Sequence, residues 1–189
     1  MRIIAGKLKG TNLRMPKDKN TRPLKDLARE SIFNLLTHSN KISLQFEQSN
    51  ILDLYSGTGS FGLECLSRKA KSVFFVENEK SAYKVLEKNI NKLKLKKKTK
   101  IFFDDVLSLI RKKNFLGLKF DLIFSDPPFQ NTNVDQLIEL IFNNNLLSKK
   151  GIIILHRNKA TKEQLPDYFK LIDERIYGIS KIIFGKFSF

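Results

Sequence analysis

Apolar residues along this chain recur in two rhythms, and the switching between them outlines a fold. Arg2–Met15 alternates loosely between apolar and polar positions around Gly6 and Gly10, which predicts a short β-hairpin. Leu24, Leu27, Ile32, Leu35 and Leu36 then recur at roughly helical spacing, predicting a helix that ends near Leu36. From about Asn50 the pattern becomes regular. Ile51–Tyr55 reads as a buried strand, followed by a glycine-rich turn and a helix across Phe61–Arg68. Val73–Val76 is a second strand, and Ala82, Val85, Leu86, Ile90 and Leu93 share one face of a helix. Ile101–Phe103 and Leu122–Phe124 are short apolar strands, Val134–Phe142 is a helix, and Ile152–Leu155 is a further strand. Strands that alternate with helices imply a parallel sheet with helices on both faces. The tail differs: Tyr168–Tyr177 and Lys181–Phe189 read as two strands joined through Gly178, an antiparallel hairpin at the sheet's edge. The expectation is an α/β chain with a seven-stranded, mostly parallel sheet, an N-terminal extension over residues 1–45 and a main domain over 46–189. Neither an internal repeat nor a Pro/Gly/Ser-rich linker interrupts it.

Composition narrows the class. At 189 residues and 41% hydrophobic, with sixteen Phe, the chain can bury a proper core. Its one cysteine, Cys65, allows no internal disulfide, and with no secretion signal in view a reducing, cytoplasmic location is expected. No apolar run approaches the roughly 20 residues of a membrane-spanning helix, so no membrane partner is expected. Charge adds a partner class: 35 Lys+Arg against 19 Asp+Glu give a net charge of +16, which attracts polyanions, and nucleic acid is the first of these. A lysine-rich, Asn-, Ile- and Phe-rich composition also arises from an AT-rich genome. The six lysines within Lys92–Lys100 lie between a helix and a strand and read as a solvated connection.

The first strand runs into Asp53-Leu54-Tyr55-Ser56-Gly57-Thr58-Gly59-Ser60-Phe61-Gly62. Gly57, Gly59 and Gly62 fit G-x-G-x-x-G between a strand and a helix, where glycine lets the backbone turn sharply and approach a ligand. Glu77 ends the second strand, where an acid meets a ribose hydroxyl pair in sheets of this kind. A nicotinamide dinucleotide is a rival ligand. Asp53 argues against it, because a carboxylate beside a pyrophosphate is unfavourable, whereas a cofactor carrying an ammonium and a sulfonium tolerates or uses one. Asp104-Asp105 follow the third strand; a carboxylate there either accepts from an adenine amino group or caps the next helix.

Ser125-Asp126-Pro127-Pro128-Phe129 is the most informative stretch. A buried strand runs directly into two prolines, which fix φ and remove two backbone donors, so nearby carbonyls face outward. This suits methylation of an exocyclic amine on a nucleic-acid base. Such a nitrogen is a poor nucleophile because its lone pair is delocalised into the ring. The side chain of Asp126 and the carbonyl of Pro127 supply two acceptors for its hydrogens, and Phe129 supplies a stacking surface. No metal is required.

These residues resemble the class I methyltransferases and, within them, the RsmD family of 16S rRNA guanine-N2 methyltransferases. Met1-Arg2-Ile3-Ile4-Ala5-Gly6, Thr21-Arg22-Pro23 and Arg29-Glu30-Ser31-Ile32-Phe33-Asn34-Leu35-Leu36 resemble the family's N-terminal signature, which narrows the choice. The glycine turn and Asp126–Phe129 resemble its cofactor and catalytic motifs, and the Tyr177-Gly178 hairpin also fits. The likeness covers nearly the whole chain, with a shorter connection than usual after Lys159. It implies a Rossmann-like fold, S-adenosylmethionine as cofactor with S-adenosylhomocysteine as product, and 16S rRNA or a small-subunit assembly particle as partner of a monomeric enzyme. The cofactor set is then Asp53, Ser56, Gly57, Thr58, Gly59, Glu77, Asn78 and Asp105; the catalytic set is Asp126, Pro127, Pro128 and Phe129. Two alternatives stay open: an adenine-N6 methyltransferase on DNA or RNA, and a basic RNA-binding assembly factor without turnover.

The remaining singletons promise less. His38 and His156 are too scattered for a metal site. His156 ends a strand and reads as structural, and Cys65 reads as a small core residue.

Overall fold

Successive residues of a strand point to opposite faces of its sheet, and here that alternation sorts the core into two halves. The structure is a computed structural model that describes residues 1–16, 26–112, 115, 117–128 and 133–188. Its strands are β1 (Asn50–Leu54), β2 (Ser72–Glu77), β3 (Thr99–Phe103), β4 (Phe120–Ser125), β5 (Leu147–Asn158), β6 (Phe169–Tyr177) and β7 (Ser180–Phe187). Its helices are α1 (Asp26–His38), α2 (Ser60–Ser67), α3 (Lys80–Lys92), α4 (Val106–Arg111) and α5 (Val134–Asn143). Ile51, Val73, Phe75, Leu122, Phe124, Ile152 and Ile154 face one side, where they pack with α1, α2 and α3. Leu52, Leu54, Val76, Ile123, Ile153 and Leu155 face the other, against α4 and α5. Strands buried on both sides are what the near-continuous apolar runs of β1, β2 and β4 require.

The seven strands lie in the order β3-β2-β1-β4-β5-β7-β6. β1 to β5 pair in parallel, and β7 runs antiparallel to both β5 and β6. The chain therefore winds outward from β1 in one direction through β2 and β3, and in the other through β4 and β5. The gap between β1 and β4 is the switch point, the place where such sheets bind ligands beyond the carboxyl ends of their strands.

The predicted N-terminal hairpin is only a miniature one. A single antiparallel bridge joins Arg2 and Asn12, flanked by Ile3 N–H donating to Thr11 O and Leu13 N–H donating to Met1 O, each at 3.0 Å. The intervening backbone spends its donors on α2 instead. Ile4 and Ala5 N–H donate to the buried Glu64 carboxylate at 2.7 and 3.0 Å, and Lys7 N–H donates to Ser67 O at 2.8 Å. Gly6 permits the approach, since a Cβ there would lie 2.1 Å from Ser67 O. In α1 the buried stripe is Ala28, Ile32, Phe33 and Leu36. Leu27, assigned to that stripe by its spacing, is instead 69% exposed, because it precedes Ala28 on the opposite side of the turn. Leu24 and Thr21-Arg22-Pro23 lie outside the described residues, as do Phe129 and Phe189. The hydroxyls of Ser31 and Tyr177 meet in a hydrogen bond, tying α1 to the end of β6.

Helices α2, α3 and α5 stop in the same way. For α3, Leu95 N–H donates to Ile90 O at 3.0 Å and Lys94 N–H to Asn91 O at 3.1 Å, with Lys94 at φ +57°. Lys69 and Asn145 take the same left-handed position after α2 and α5. This is the paired-bond C-terminal cap that normally employs glycine. At the tail, β5 spans twelve residues rather than the predicted four. β7 lies inside the sheet and β6 forms its edge, with the two joined through Gly178 at φ +61°. Among the described residues no helix is long and apolar enough to cross a membrane.

Candidate active site

Parallel pairing brings the ends of β1, β2 and β4 level with one another. Leu54 pairs with Val76 on one side and Ser125 on the other. The residues that leave these strands, with Asp53 just inside β1, place three carboxylates around the switch point: Asp53, Glu77 and Asp126. Each is held by a definite partner.

Asp53 is 1% exposed, and its Oδ2 accepts from Gly62 N–H at 3.0 Å. The strand's acid thus secures the first turn of α2, a role for Gly62 that its motif position did not announce. Burial pushes the Asp53 carboxyl well above the usual range; the Gly62 N–H opposes this, and the charges of Asp126 and Glu77 add to it. Glu77 caps the turn from the other strand. Its Oε2 accepts from Gly57 N–H at 2.6 Å and its Oε1 from Glu79 N–H at 2.7 Å. Asn78, next to it, is exposed.

Ser56 has a structural job in the fold. Its hydroxyl donates to Asp53 O at 2.6 Å and accepts from Val76 N–H at 3.0 Å, so it stitches β1 to β2. Tyr55 before it sits at φ +59°, a strained position for a residue with a side chain, and Gly57 and Gly59 follow at +54° and +80°. Gly59 begins α2 in this left-handed conformation. The carbonyl of the buried Thr58 accepts from Asn89 Nδ2 at 3.1 Å. Asn89 also accepts from Arg14 N–H at 2.8 Å and donates to Arg14 O at 3.2 Å. It is a fully buried polar residue of α3 that locks the glycine turn to the N-terminal segment. The visible signal was an amide between Leu86 and Ile90 on an apolar helical face.

Asp105 caps α4, with Oδ1 accepting from Ser108 N–H at 2.9 Å. The side chain is exposed, and Asp104 beside it pairs with Lys112 at 2.8 Å. Of the two roles left open for Asp105, the cap is present in the fold.

On the other side of the switch point, Asp126 leaves β4 with its side chain 20% exposed, Pro127 is buried and Pro128 is exposed. Asp126 Oδ1 lies 2.6 Å from Nδ1 of His156, which is 6% exposed. Reading His156 as structural missed this contact. The register contains it: Ser125 pairs with Leu155, so the next residue of each strand emerges beside the other. Cys65 is fully buried, with burial raising its thiol pKa, and has the core role expected of it.

The strand ends thus gather carboxylates and backbone turns at the switch point. The arrangement suits a ligand with positive charge beside Asp53 and hydroxyls or amines beside Glu77, facing a second ligand at Asp126.

The chain is similar to known proteins over nearly its whole length. Residues 1–186 match a family model described as "Conserved hypothetical protein 95". Ribosomal RNA small subunit methyltransferase D of Haemophilus influenzae is 32% identical over 180 residues, covering 95% of this chain and 90% of that protein. The protein of the same name in Escherichia coli is 29% identical over 153 residues, covering 81% and 72%. Among solved structures, "Putative methyltransferase yhhF" from Escherichia coli superposes with a TM-score of 0.83 at 25% identity, covering 98% of this chain and 96% of that one.

Proposed function

The chain belongs to the RsmD family of methyltransferases, and from that membership and the geometry of the strand ends we propose that it transfers a methyl group from S-adenosylmethionine to the exocyclic N2 amine of a guanine in 16S rRNA. The observation that carries this reading is the convergence of Asp53, Glu77 and Asp126 on the switch point. Asp53 and Glu77 repel a pyrophosphate and favour a ligand bearing an ammonium and a sulfonium, with Asp126 facing them from β4.

In this reading the glycine turn and Asp53 receive the methionine end of the cofactor. Glu77, already oriented by two backbone N–H groups, has lone pairs left for the ribose hydroxyls. Asn78 and Asp105 border the adenine. The target guanine lies at Asp126-Pro127-Pro128-Phe129, with its amine donating to the Asp126 carboxylate and the Pro127 carbonyl and its ring stacked on Phe129. Methyl transfer forms an N–C bond and breaks the S–C bond, whose electron pair goes to sulfur. The cofactor leaves as the neutral thioether S-adenosylhomocysteine, and the methylated nitrogen, now acidic, releases its proton to solvent. Catalysis is positioning and preorganised hydrogen-bond acceptance, with no covalent intermediate. The net charge of +16 suits an rRNA or a small-subunit assembly particle as partner.

A single-turnover assay with methyl-labelled cofactor tests it, with small-subunit particles, 16S rRNA and duplex DNA as substrates. Label in RNA, recovered after hydrolysis as N2-methylguanosine, is the expected result. Label recovered as N6-methyladenine points to the adenine enzyme, and RNA binding with no transfer points to an assembly factor; either overturns the proposal.

A further inference from the structure

We propose that His156 is a positioning residue for methyl transfer: its Nδ1–H holds Asp126 Oδ1 and so aims the second carboxylate oxygen at the target amine. The proposal rests on the reading of Asp126 as an acceptor for that amine, and it adds the group that orients it.

Three observations carry it. The Nδ1–Oδ1 separation is 2.6 Å, at the short end for an N–H donor on a carboxylate. The His156 side chain is 7% exposed and that of Asp126 20%, so the donor is the more deeply held of the two and the acceptor keeps access to solvent. The backbone places the pair: Ser125 and Leu155 are register partners, and His156 is itself paired with Ile182 of β7, which holds β5 straight beyond the point where β4 ends. A carboxylate free to rotate about its last bond presents either oxygen. One fixed at Oδ1 by a buried donor presents Oδ2 alone, and acceptance from an amine depends on direction. The antiparallel tail thereby acquires a catalytic purpose, since β7 is the strand that keeps His156 in place.

The test compares His156→Ala, His156→Asn and His156→Phe in single-turnover methyl transfer to small-subunit particles, with cofactor affinity measured separately and Asp126→Ala run alongside. An asparagine amide can place its N–H close to the position of Nδ1, whereas phenylalanine keeps the ring and loses the donor. We expect His156→Ala and His156→Phe to slow transfer about 10- to 100-fold, the weight of one hydrogen bond to a charged group. Cofactor affinity should stay within about twofold, and His156→Asn should recover most of the rate. In the unaltered protein, nitrogen-15 imidazole shifts should place a proton on Nδ1, and that signal should change in Asp126→Ala. Asp126→Ala slow with His156→Phe at the wild-type rate overturns the role of His156, as does equal slowing by Asn and Phe or a proton found on Nε2 alone. Asp126→Ala at the wild-type rate would instead overturn the acceptor reading itself. The nitrogen-15 measurement decides the matter should the His156 variants fail to fold.

Discussion

A Cβ atom on Gly59 would lie 2.3 Å from Cδ1 of Leu86. The glycine turn is therefore also a packing joint between α2 and α3. Gly59 is the motif's middle glycine, and by sequence its small size serves a ligand's approach. In the fold it serves helix packing and a φ of +80° as well. Gly59→Ala should cost about 1–3 kcal/mol from overpacking and a further 1–2 kcal/mol, roughly, from the left-handed backbone. Denaturant unfolding measures this. A loss no larger than the roughly 1–2 kcal/mol of the left-handed backbone would mean that Leu86 moves aside freely and that packing does not require the glycine.

Asp53 gives the site a pH dependence with a definite sign. Burial raises its pKa in the folded state above the unfolded value of about 3.9. The folded protein then binds more protons than the unfolded one, so this group's contribution is fully favourable below about pH 4 and is lost as pH rises through the folded pKa. Asp53→Asn keeps an acceptor for Gly62 N–H and removes the ionisation. The variant should gain stability relative to wild type as pH rises, by about 1.4 kcal/mol for each unit of upward shift, while cofactor affinity falls because the ammonium loses its counter-charge. Thermal unfolding across pH 4–8 and calorimetry with S-adenosylmethionine check the two halves. A stability difference independent of pH would show that Asp53 is not ionising within that range.

Much of this could be read from the chain, and the omissions share a cause. Strand and helix periods located β1 to β5, α2, α3 and α5, because a sheet buried on both faces leaves long apolar runs such as Leu122–Phe124 and Ile152–Leu155. The strand-end acids Glu77 and Asp126 were legible because a carboxylate terminating such a run has few other reasons to be there. Asn89, Ser56 and His156 were not, since each acts through a partner distant in sequence: Arg14, Val76 and Asp126. Leu27 misled because spacing alone gives no phase when Ala28 carries the contact. Asp105 was read as either a cap or an adenine contact, the fold shows the cap, and the short α4 it caps was foreseen only through that alternative.

The helix ends offer a stabilising change. Lys94 occupies the left-handed position that closes α3, with φ +57° and both cap hydrogen bonds formed. Its side chain is exposed, so little is lost with it. Lys94→Gly should raise stability by about 1 kcal/mol, the left-handed penalty of 1–2 kcal/mol less the added freedom of glycine in the unfolded chain. Chemical denaturation compares the two proteins. A destabilised variant would indicate that the Lys94 side chain contributes more than its conformation costs.

Asp126→Ala is the most direct test of the account. Removing one of two preorganised acceptors should lower single-turnover methyl transfer about 10²–10³-fold. S-adenosylmethionine affinity should be nearly unchanged, because the turn at Gly57 and the carboxylates of Asp53 and Glu77 are intact. Asp126→Asn has one amide oxygen for two donors, His156 Nδ1–H and the target amine, so its rate should lie well below that of the unaltered protein and no lower than that of Ala. Transfer by Asp126→Ala at the wild-type rate would contradict the central claim that this carboxylate prepares the target amine.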